Sequence, residues 1–186
     1  MVYDIKRVSS VEELTGVLAL HQENYFKNIS KEESLAEGFV TAEYDGKSLQ
    51  LMHTLCPSVI AKDGEEVVGY VLAVTKEFYG HNKLLDQLFD SIDKLNFEGQ
   101  ALVDQNYILC GQLCVKKGHR GQGIARKMYE YYRDEMHNQY PYCITDVASS
   151  NPRSVKAHSK TGFQVIDSTS YDGVKFDIIL WDWSKK

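Results

Sequence analysis

The chain has 186 residues, of which 43% are hydrophobic and 25% are charged, and its formal net charge is −5. This length and composition predict a single domain over residues 1–186 and exclude a disordered, coiled-coil or collagen-like chain. No apolar run approaches the roughly 20 residues that cross a bilayer, and the N-terminal segment lacks the apolar stretch of a secretory signal. We therefore expect a cytoplasmic protein with no membrane partner.

The charge is divided unevenly along the chain. Residues 1–100 hold 9 basic and 17 acidic side chains, a balance of −8, whereas residues 101–186 hold 12 and 9, a balance of +3. The window from Lys116 to Lys160 alone holds 9 basic and 4 acidic side chains. Two ligands of opposite charge would explain this division, and so would chance clustering on a solvated surface.

The cysteines and histidines do not form a metal-binding pattern. No two of the four cysteines form CxxC, and the six histidines are scattered, so we expect no metal site. Cys110, Cys114 and Cys143 lie within apolar runs, which predicts reduced, buried thiols. A reactive thiol is the alternative, although no neighbouring residue would obviously lower a thiol pKa.

The first half of the chain predicts strands, helices and one hairpin. Ser30 with Glu33 forms a capping box, and Asp63-Gly64 favours a tight turn. The predicted elements are a strand at Val2–Val8, a helix from Ser9 or Ser10 to Tyr25 or Phe26, a helix at Lys31–Glu37, an extended segment at Leu51–Ala61 and a strand at Val67–Val74.

The second half predicts strands that alternate with helices. Asp172-Gly173 is again a hairpin signal, here between the last two strands. The predicted elements are helices at Asn82–Leu95, Ile124–His137 and Asn151–Lys160, and strands at Gln105–Val115, Tyr142–Val147, Phe163–Ser168 and Val174–Trp183. An antiparallel beginning followed by strand–helix–strand units predicts an α+β (mixed α/β) fold, in which helices pack on a mixed sheet.

A basic, glycine-rich loop between a predicted strand and a predicted helix is the strongest local signal. It reads Leu113-Cys-Val-Lys-Lys-Gly-His-Arg-Gly-Gln-Gly-Ile-Ala-Arg126. Free N–H groups at a helix N-terminus bind anions, and glycines let the backbone approach a phosphate closely. The loop therefore predicts a phosphate site, although a plain helix start with solvated basic residues would give the same pattern.

Two other phosphate-binding loops fit less well. The spacing from Gly118 to Gly123 matches the start of GxxxxGK[ST], but Ile124 and Ala125 replace the lysine and the hydroxyl, which disfavours an NTPase. In a dinucleotide-binding GxGxxG loop the third glycine allows tight helix packing, and here that position is Arg126. A dinucleotide-binding domain therefore remains a weak alternative.

The loop resembles motif A of the GNAT superfamily of acyl-CoA-dependent N-acetyltransferases, written [QR]xxGx[GA], in its segment from Arg120 to Ala125. The order of Cys143–Val147, Asn151–Ser154 and His158–Phe163 is similar to the family's next strand, helix and closing Gly-Phe. The resemblance covers essentially the whole chain. It implies a GNAT fold, in which a central, mostly antiparallel sheet of about seven strands is flanked by helices and splayed at the motif-A strand.

The resemblance also implies a co-substrate, acetyl-CoA, and the residues that hold it. Strand backbone at Leu113 and Val115 would pair with the pantetheine arm, and loop amides from Arg120 to Ala125 would hold the pyrophosphate. Asn151 would contact the pantetheine region, as would Ser154 more weakly. The predicted cofactor-binding residues are Leu113, Cys114, Val115, Arg120, Gly121, Gln122, Gly123, Ile124, Ala125, Asn151 and Ser154.

The catalytic groups are less well defined by the resemblance. Many family members have a tyrosine facing the CoA sulfur where this chain has His158. We predict that His158 is the general acid or stabilises the thiolate, and the alternative is that it only packs against the cofactor. No acid lies in Cys110-Gly-Gln112, and Asp146, at a predicted strand end, could simply orient a neighbour. No general base is assigned.

The acceptor is expected to be an amine of a small molecule or peptide, since the acidic half would attract a cation. Tyr25, Phe26, Phe39, Tyr44, Phe78 and Tyr79 could line its pocket or belong to the core. A nucleic-acid partner is disfavoured by the net negative charge. A non-catalytic acyl-CoA-binding or regulatory module on the same fold is the alternative function. The protein is expected to be a monomer or a homodimer, and the Trp181/Trp183 pair predicts either a dimer edge or a core face.

Overall fold

A computed structural model describes residues 2–25, 27–28 and 42–185. Seven strands form its main sheet, and a short hairpin lies apart from it. The elements in chain order are β1 (Asp4–Arg7), α1 (Val11–Asn24), α2 (Gly46–Leu55), β2 (Val59–Asp63), β3 (Glu66–Val74), α3 (Lys83–Ile92), β4 (Asn96–Phe97), β5 (Gln100–Ala101), β6 (Tyr107–Val115), α4 (Ile124–Met136), β7 (Tyr142–Ala148), α5 (Pro152–Thr161), β8 (Gln164–Tyr171) and β9 (Val174–Asp182).

The main sheet has the order β1-β2-β3-β6-β7-β9-β8, and β6–β7 is its only parallel pair. That pair shares just three registered positions, which end at Leu109 opposite Ile144. Beyond this point β6 continues to Val115 and β7 to Ala148 without pairing to each other. The hydroxyl of Thr145 donates to the Cys110 carbonyl at 2.7 Å where the ladder stops. The sheet therefore confirms the predicted mixed, mostly antiparallel arrangement that splays at this strand.

A β-bulge at Gly111 interrupts β6 on its other side. Leu72 pairs with Gln112 and Ala73 with Cys110, so Gly111 has no partner in β3. A Cβ at Gly111 would lie 2.6 Å from Val74 Cγ2, closer than real side chains approach, so the position requires glycine. The bulge reverses the alternation of side chains beyond it.

Two apolar clusters cover the two faces of the sheet. One face carries α1, α2 and α3 through residues such as Leu20, Met52 and Leu88. The other face carries α4, whose Met128 and Tyr132 are fully buried, and α5 contributes to it at the edge. Trp183, just beyond β9, is buried in this second cluster, and Trp181, near the end of β9, packs against it, so the pair lies on a core face.

Most predicted element boundaries are confirmed, and side-chain caps explain why. Ser10, Asn82 and Asn151 each accept a hydrogen bond from a backbone N–H of the helix that follows. Gly64 lies in the β2–β3 turn with φ of +58°, and Gly173 lies in the β8–β9 turn with φ of +81°, as the two hairpin predictions require.

The prediction of an extended segment at Leu51–Ala61 was wrong for its first half. Residues Gly46–Leu55 form α2, capped by Asp45, whose side chain accepts from the Ser48 N–H at 2.8 Å. Leu49 and Met52 bury one face of this helix at a spacing of three, and only Val59–Asp63 beyond Pro57 is a strand. The predicted helix at Lys31–Glu37 lies outside the described residues. In the ranges described above, no helix has the length and apolar character needed to span a membrane.

Candidate active site

The divergence of β6 from β7 opens a groove of about 420 Å³ between the end of β6, the loop before α4 and helix α5. It brings together all but one of the predicted cofactor-binding residues: Leu113, Cys114, Val115, Arg120, Gly121, Gly123, Ile124, Ala125, Asn151 and Ser154. The exception is Gln122, which donates to the Gly118 carbonyl at 3.3 Å and accepts from the Tyr3 hydroxyl at 2.9 Å. Gln122 thus fastens the loop to the N-terminal segment.

The loop presents bare backbone to this groove. Gly118, Gly121 and Gly123 have φ values of +88°, +80° and +78°, and a Cβ on any of them would meet no atom within 4 Å. Gly123 is also the N-cap of α4, and it has no side chain to satisfy the first N–H groups of that helix. Open space beside free N–H groups and the positive end of a helix dipole fits a pyrophosphate.

Basic side chains dominate the electrostatics of the groove. No acidic residue lines it within the described part of the chain, and its basic residues are His119, Arg120, Arg126, Arg153 and Lys160. Arg120 Nε donates to the Val115 carbonyl at 2.7 Å, and its terminal nitrogen donates to Asn24 Oδ1 at 2.5 Å. Arg120 therefore ties the loop to β6 and to α1.

The sequence analysis missed one groove residue supplied by α1 and several supplied by α5. Arg153, Ala157 and Lys160 lie on the face of α5 that also presents Ser154. Their spacing of three and four residues was a signal for this shared face once Asn151 had been identified as the cap. Asn24, at the end of α1, offered no such signal because its place depends on tertiary packing.

A second, smaller cavity of about 70 Å³ adjoins the groove. Leu113, Asn151 and Ser154 line both spaces, so the two meet where β6 and β7 part. The rest of the small cavity combines apolar residues of α3 with polar ones of the two strands. Its other lining residues are Ala42, Leu84, Leu85, Leu88, Gly111, Gln112, Thr145, Asp146, Val147, Ala148, His158 and Phe176.

His158 is buried beside this cavity, and both of its ring nitrogens have partners. Nδ1 lies 2.8 Å from the Ser154 carbonyl oxygen and 3.3 Å from the Ser154 hydroxyl. Nε2 lies 2.7 Å from the Tyr129 hydroxyl, whose oxygen is 3.1 Å from Cys110 Sγ. The carbonyl fixes the ring proton on Nδ1, and Nε2 then accepts from Tyr129. Burial lowers the pKa of His158 to about 4, so the ring is neutral at pH 7.

Asp146 also lines the small cavity. Its Oδ2 is buried and has no hydrogen-bond partner among the described residues. Burial raises the pKa of Asp146 to about 7, and a hydrogen bond from its own backbone N–H offsets that effect only in part. Two residues beyond the last pair of β6 and β7, Asp146 is level with Gly111, just inside the splay.

Gln112 anchors the segment that covers the cavity from the N-terminal side. Its Oε1 accepts from the Tyr70 hydroxyl at 2.5 Å and from His21 Nδ1 at 3.1 Å, and its Nε2 donates to the Ala42 carbonyl at 3.3 Å. The Tyr44 N–H donates to His21 Nε2 at 3.3 Å, and the Tyr44 hydroxyl donates to the Gly111 carbonyl at 3.0 Å. Gln112 therefore positions the chain around Tyr44.

The aromatic residues predicted to line the acceptor pocket lie in different environments, and two acidic residues lie in the same N-terminal region. Phe26 and Phe39 lie outside the described residues. Glu43 is exposed and accepts from the Tyr25 hydroxyl at 2.9 Å, whereas Glu23 lines a separate groove between α1 and the β2–β3 hairpin. Tyr25, Tyr44 and Phe78 are buried, and Tyr79 is half exposed.

All four thiols are free and buried. Burial raises the pKa of Cys110 and that of Cys114 to about 12, and it raises those of Cys56 and Cys143 as well. Such thiols are protonated and unreactive in the native state. Across the described ranges, His, Cys, Asp and Glu side chains form no group of three or more that could hold a metal ion.

Comparison with known proteins places this geometry in context. A sequence model of the Acetyltransferase (GNAT) family matches residues 12–163. No curated protein sequence matches the chain.

Solved structures share the fold at low identity. The NatC complex bound to Gag peptide and CoA contains a chain with a TM-score of 0.68 and 13% identity, over 98% of this chain and 99% of that one. The yncA protein of Salmonella typhimurium, solved with acetyl-CoA, has a TM-score of 0.64 and 13% identity over 100% and 96%. A spermidine N-acetyltransferase SpeG chimera from Vibrio cholerae and hSSAT has a TM-score of 0.61 and 13% identity, over 98% of this chain and 96% of that one.

Proposed function

Because the chain belongs to the GNAT family of acetyltransferases, we propose that it transfers the acetyl group of acetyl-CoA to an amine by direct attack while both substrates are bound. The observation that carries this proposal is the pair of adjoining spaces at the splay of β6 and β7. One is basic and bordered by bare loop amides, and the other is small, partly apolar and next to it. A site for direct transfer needs this contiguity, since the amine must reach the thioester carbonyl.

The groove fits the predicted contacts to acetyl-CoA. Beyond Leu109 the β6 backbone is not paired to β7, so the stretch around Leu113 is available to the amides of the pantetheine arm, as in the addition of a strand. The Val115 carbonyl already accepts from Arg120 Nε at 2.7 Å. The α4 N-terminus and Arg120 lie where the pyrophosphate would be held. These proposed contacts agree with the positive charge of the groove.

The proposed role of His158 is more limited than that of a charged imidazolium acting as an acid. Since its ring is neutral, the proton on Nδ1 is shared between the carbonyl and the hydroxyl of Ser154. Ser154 lines both spaces, so its hydroxyl is the group we place at the leaving sulfur. His158 then orients Ser154 and stabilises the thiolate through it.

The acceptor is proposed to be an amine of a small molecule or a peptide. Structures with the same fold include a complex with a peptide and an enzyme named for spermidine. The balance of −8 over residues 1–100 favours an acceptor that arrives as a cation.

Release of free thiol from acetyl-CoA tests the proposal. The purified protein is mixed with acetyl-CoA and, in separate reactions, spermidine, n-butylamine, an amino sugar and a short peptide with a free N-terminus. Thiol release that depends on the amine, with the acetylated amine seen by mass spectrometry, is the expected result. Tight binding of acetyl-CoA without turnover on any amine would instead identify an acyl-CoA-binding module.

A further inference from the structure

We infer that Asp146 is the proton acceptor of the transfer reaction, and that its carboxylate selects a primary ammonium group on a slender, unbranched chain. The inference rests on the proposed function and deepens it. Strand β7 places Asp146 at the point where the parallel ladder with β6 has just ended. At this level the groove for the thioester and the small cavity share their walls.

One oxygen of the Asp146 carboxyl lacks the hydrogen-bond donor that a buried structural aspartate normally has. Its Oδ2 is buried without a hydrogen-bond partner, and no ion pair within residues 2–25, 27–28 and 42–185 includes it. The backbone N–H of Asp146 itself is a donor to this carboxyl, and it leaves Oδ2 unsatisfied. A buried carboxyl oxygen without a partner beside a cavity is completed by a ligand that brings a donor or a positive charge.

Asp146 is the one carboxylic acid among the described residues that line the small cavity. Titratable groups face it from four directions: Tyr44, Cys110 on β6, His158 on α5 and Tyr171 on β8. All four are neutral at pH 7, since burial raises the pKa values of the two tyrosines and of Cys110 and lowers that of His158. α3 contributes only leucines to the cavity wall.

The proposed step moves one proton from the ammonium group to Asp146 and one to the sulfur of CoA. The bound ammonium group gives one proton to the Asp146 carboxylate and becomes a neutral amine. Its lone pair forms the C–N bond at the thioester carbonyl, and the C–S bond breaks, leaving the electron pair on sulfur. The new amide nitrogen gives its second proton to that thiolate, which leaves as the CoA thiol, and Asp146 returns its proton to solvent when the products leave.

The dimensions of the cavity limit the amine. About 70 Å³ holds roughly two groups the size of a water molecule, and the leucines of α3 with Phe176 make its walls apolar. A primary ammonium followed by a methylene fits this space. This volume leaves little room for a second substituent on the nitrogen or on the α-carbon.

Asp146→Asn tests the inference, with Asp177→Asn as the matched control. Asp177 is also a strand aspartate, on β9, and its Oδ1 accepts from the Ser168 hydroxyl at 3.0 Å. We expect Asp146→Asn to lower kcat with n-butylamine by about 100- to 10,000-fold and to abolish the acid limb of the pH profile near pH 7. Affinity for CoA, measured by calorimetry, is expected to stay within twofold in both variants, and Asp177→Asn is expected to keep the wild-type profile.

A second readout does not depend on turnover. In infrared difference spectra the protonated carboxyl of Asp146 should appear below pH 7, disappear above it and be absent from Asp146→Asn and Asp146→Ser. Added n-butylamine should move this midpoint to lower pH, and isopropylamine should not. Wild-type kcat with an unchanged pH limb in a folded Asp146→Asn, or a carboxyl midpoint that n-butylamine leaves unmoved, would overturn the inference. Absence of turnover in the wild type with a midpoint that does move would contradict the proposed function while supporting the amine site.

Discussion

Replacing Asp146 by asparagine should make the folded protein more stable, and increasingly so as the pH rises. The folded state holds the pKa of Asp146 at about 7, against an ordinary value of 3.8. Between these values the folded protein binds a proton that the unfolded chain has lost, so the wild type loses stability with rising pH by up to about 1.4 kcal/mol per unit. Above pH 7 the carboxyl is ionised in both states, and the full cost of burying it is present.

The magnitude follows from that shift. About three pKa units correspond to roughly 4 kcal/mol at full ionisation, and roughly 2–3 kcal/mol of this develops between pH 5 and pH 8. The difference in unfolding free energy between Asp146→Asn and wild type should grow by that amount over this range. Other titrating groups, His158 included, are common to both proteins and cancel in the difference.

Urea denaturation at half-unit steps from pH 5 to pH 8.5, followed by tryptophan fluorescence, measures the effect. Asp177→Asn serves as the control for replacing a strand aspartate by asparagine at a position outside the cavity. A stability difference for Asp146→Asn that stays constant across the range would show that the carboxyl titrates as in water. The reasoning from burial would then be refuted, whatever the activity of the variant.

Three other predictions concern the loop, the buried imidazole and the thiols. Gly123→Ala should weaken CoA binding at least about tenfold, because it places a methyl group in the groove and strains a backbone with φ of +78°. Gly64→Ala is the control, because Gly64 has φ of +58° in a distant turn. It should share only the backbone strain, which costs about 1–2 kcal/mol of stability. Calorimetry and thermal melts separate the two effects, and equal losses of affinity would contradict the assignment. The unfolding free energy of His158→Gln should rise relative to that of wild type by roughly 2 kcal/mol from pH 7.5 to pH 5, because the unfolded histidine takes up a proton that the folded one, with a pKa of about 4, does not. A difference that stays constant over this range would mean that the imidazole is hydrated. At pH 8 the native protein should react with a thiol reagent only as fast as it unfolds, and rapid labelling of one cysteine would refute the burial of that thiol.

Local chemistry made much of the fold predictable from the sequence. Ser10, Asn82 and Asn151 cap helices because each side chain lies next to the backbone group it satisfies, and no distant residue is needed. The glycine loop was predictable for the same reason, since positive φ values and a basic helix start are local properties. The prediction for the α2 segment failed because Leu51, Met52 and Leu55 suit a strand as well as a helix. Only the Asp45 cap separates the two readings.

The chemistry of the site was less predictable because it depends on burial. Nothing in the sequence around Asp146 or His158 reveals that one carboxyl oxygen lacks a partner while the imidazole has several. Those facts arise where β6, β7, α3 and α5 meet, from residues far apart in the chain. The role predicted for His158 rested on its position in a motif, and its neutral state came only from the packing around it.

The bulge at Gly111 makes the length of β6 as important as its composition. Because one unpaired residue reverses the alternation, Leu109 and Cys114 face one side of the sheet, and Cys110 and Leu113 face the other. Deleting Gly111 would restore the regular pleat and exchange the two sets, so the walls of both substrate spaces would change at once. Single-residue insertions and deletions should therefore accumulate in the turns of this chain and be purged from this strand. Any alignment of distant relatives is best anchored at the bulge.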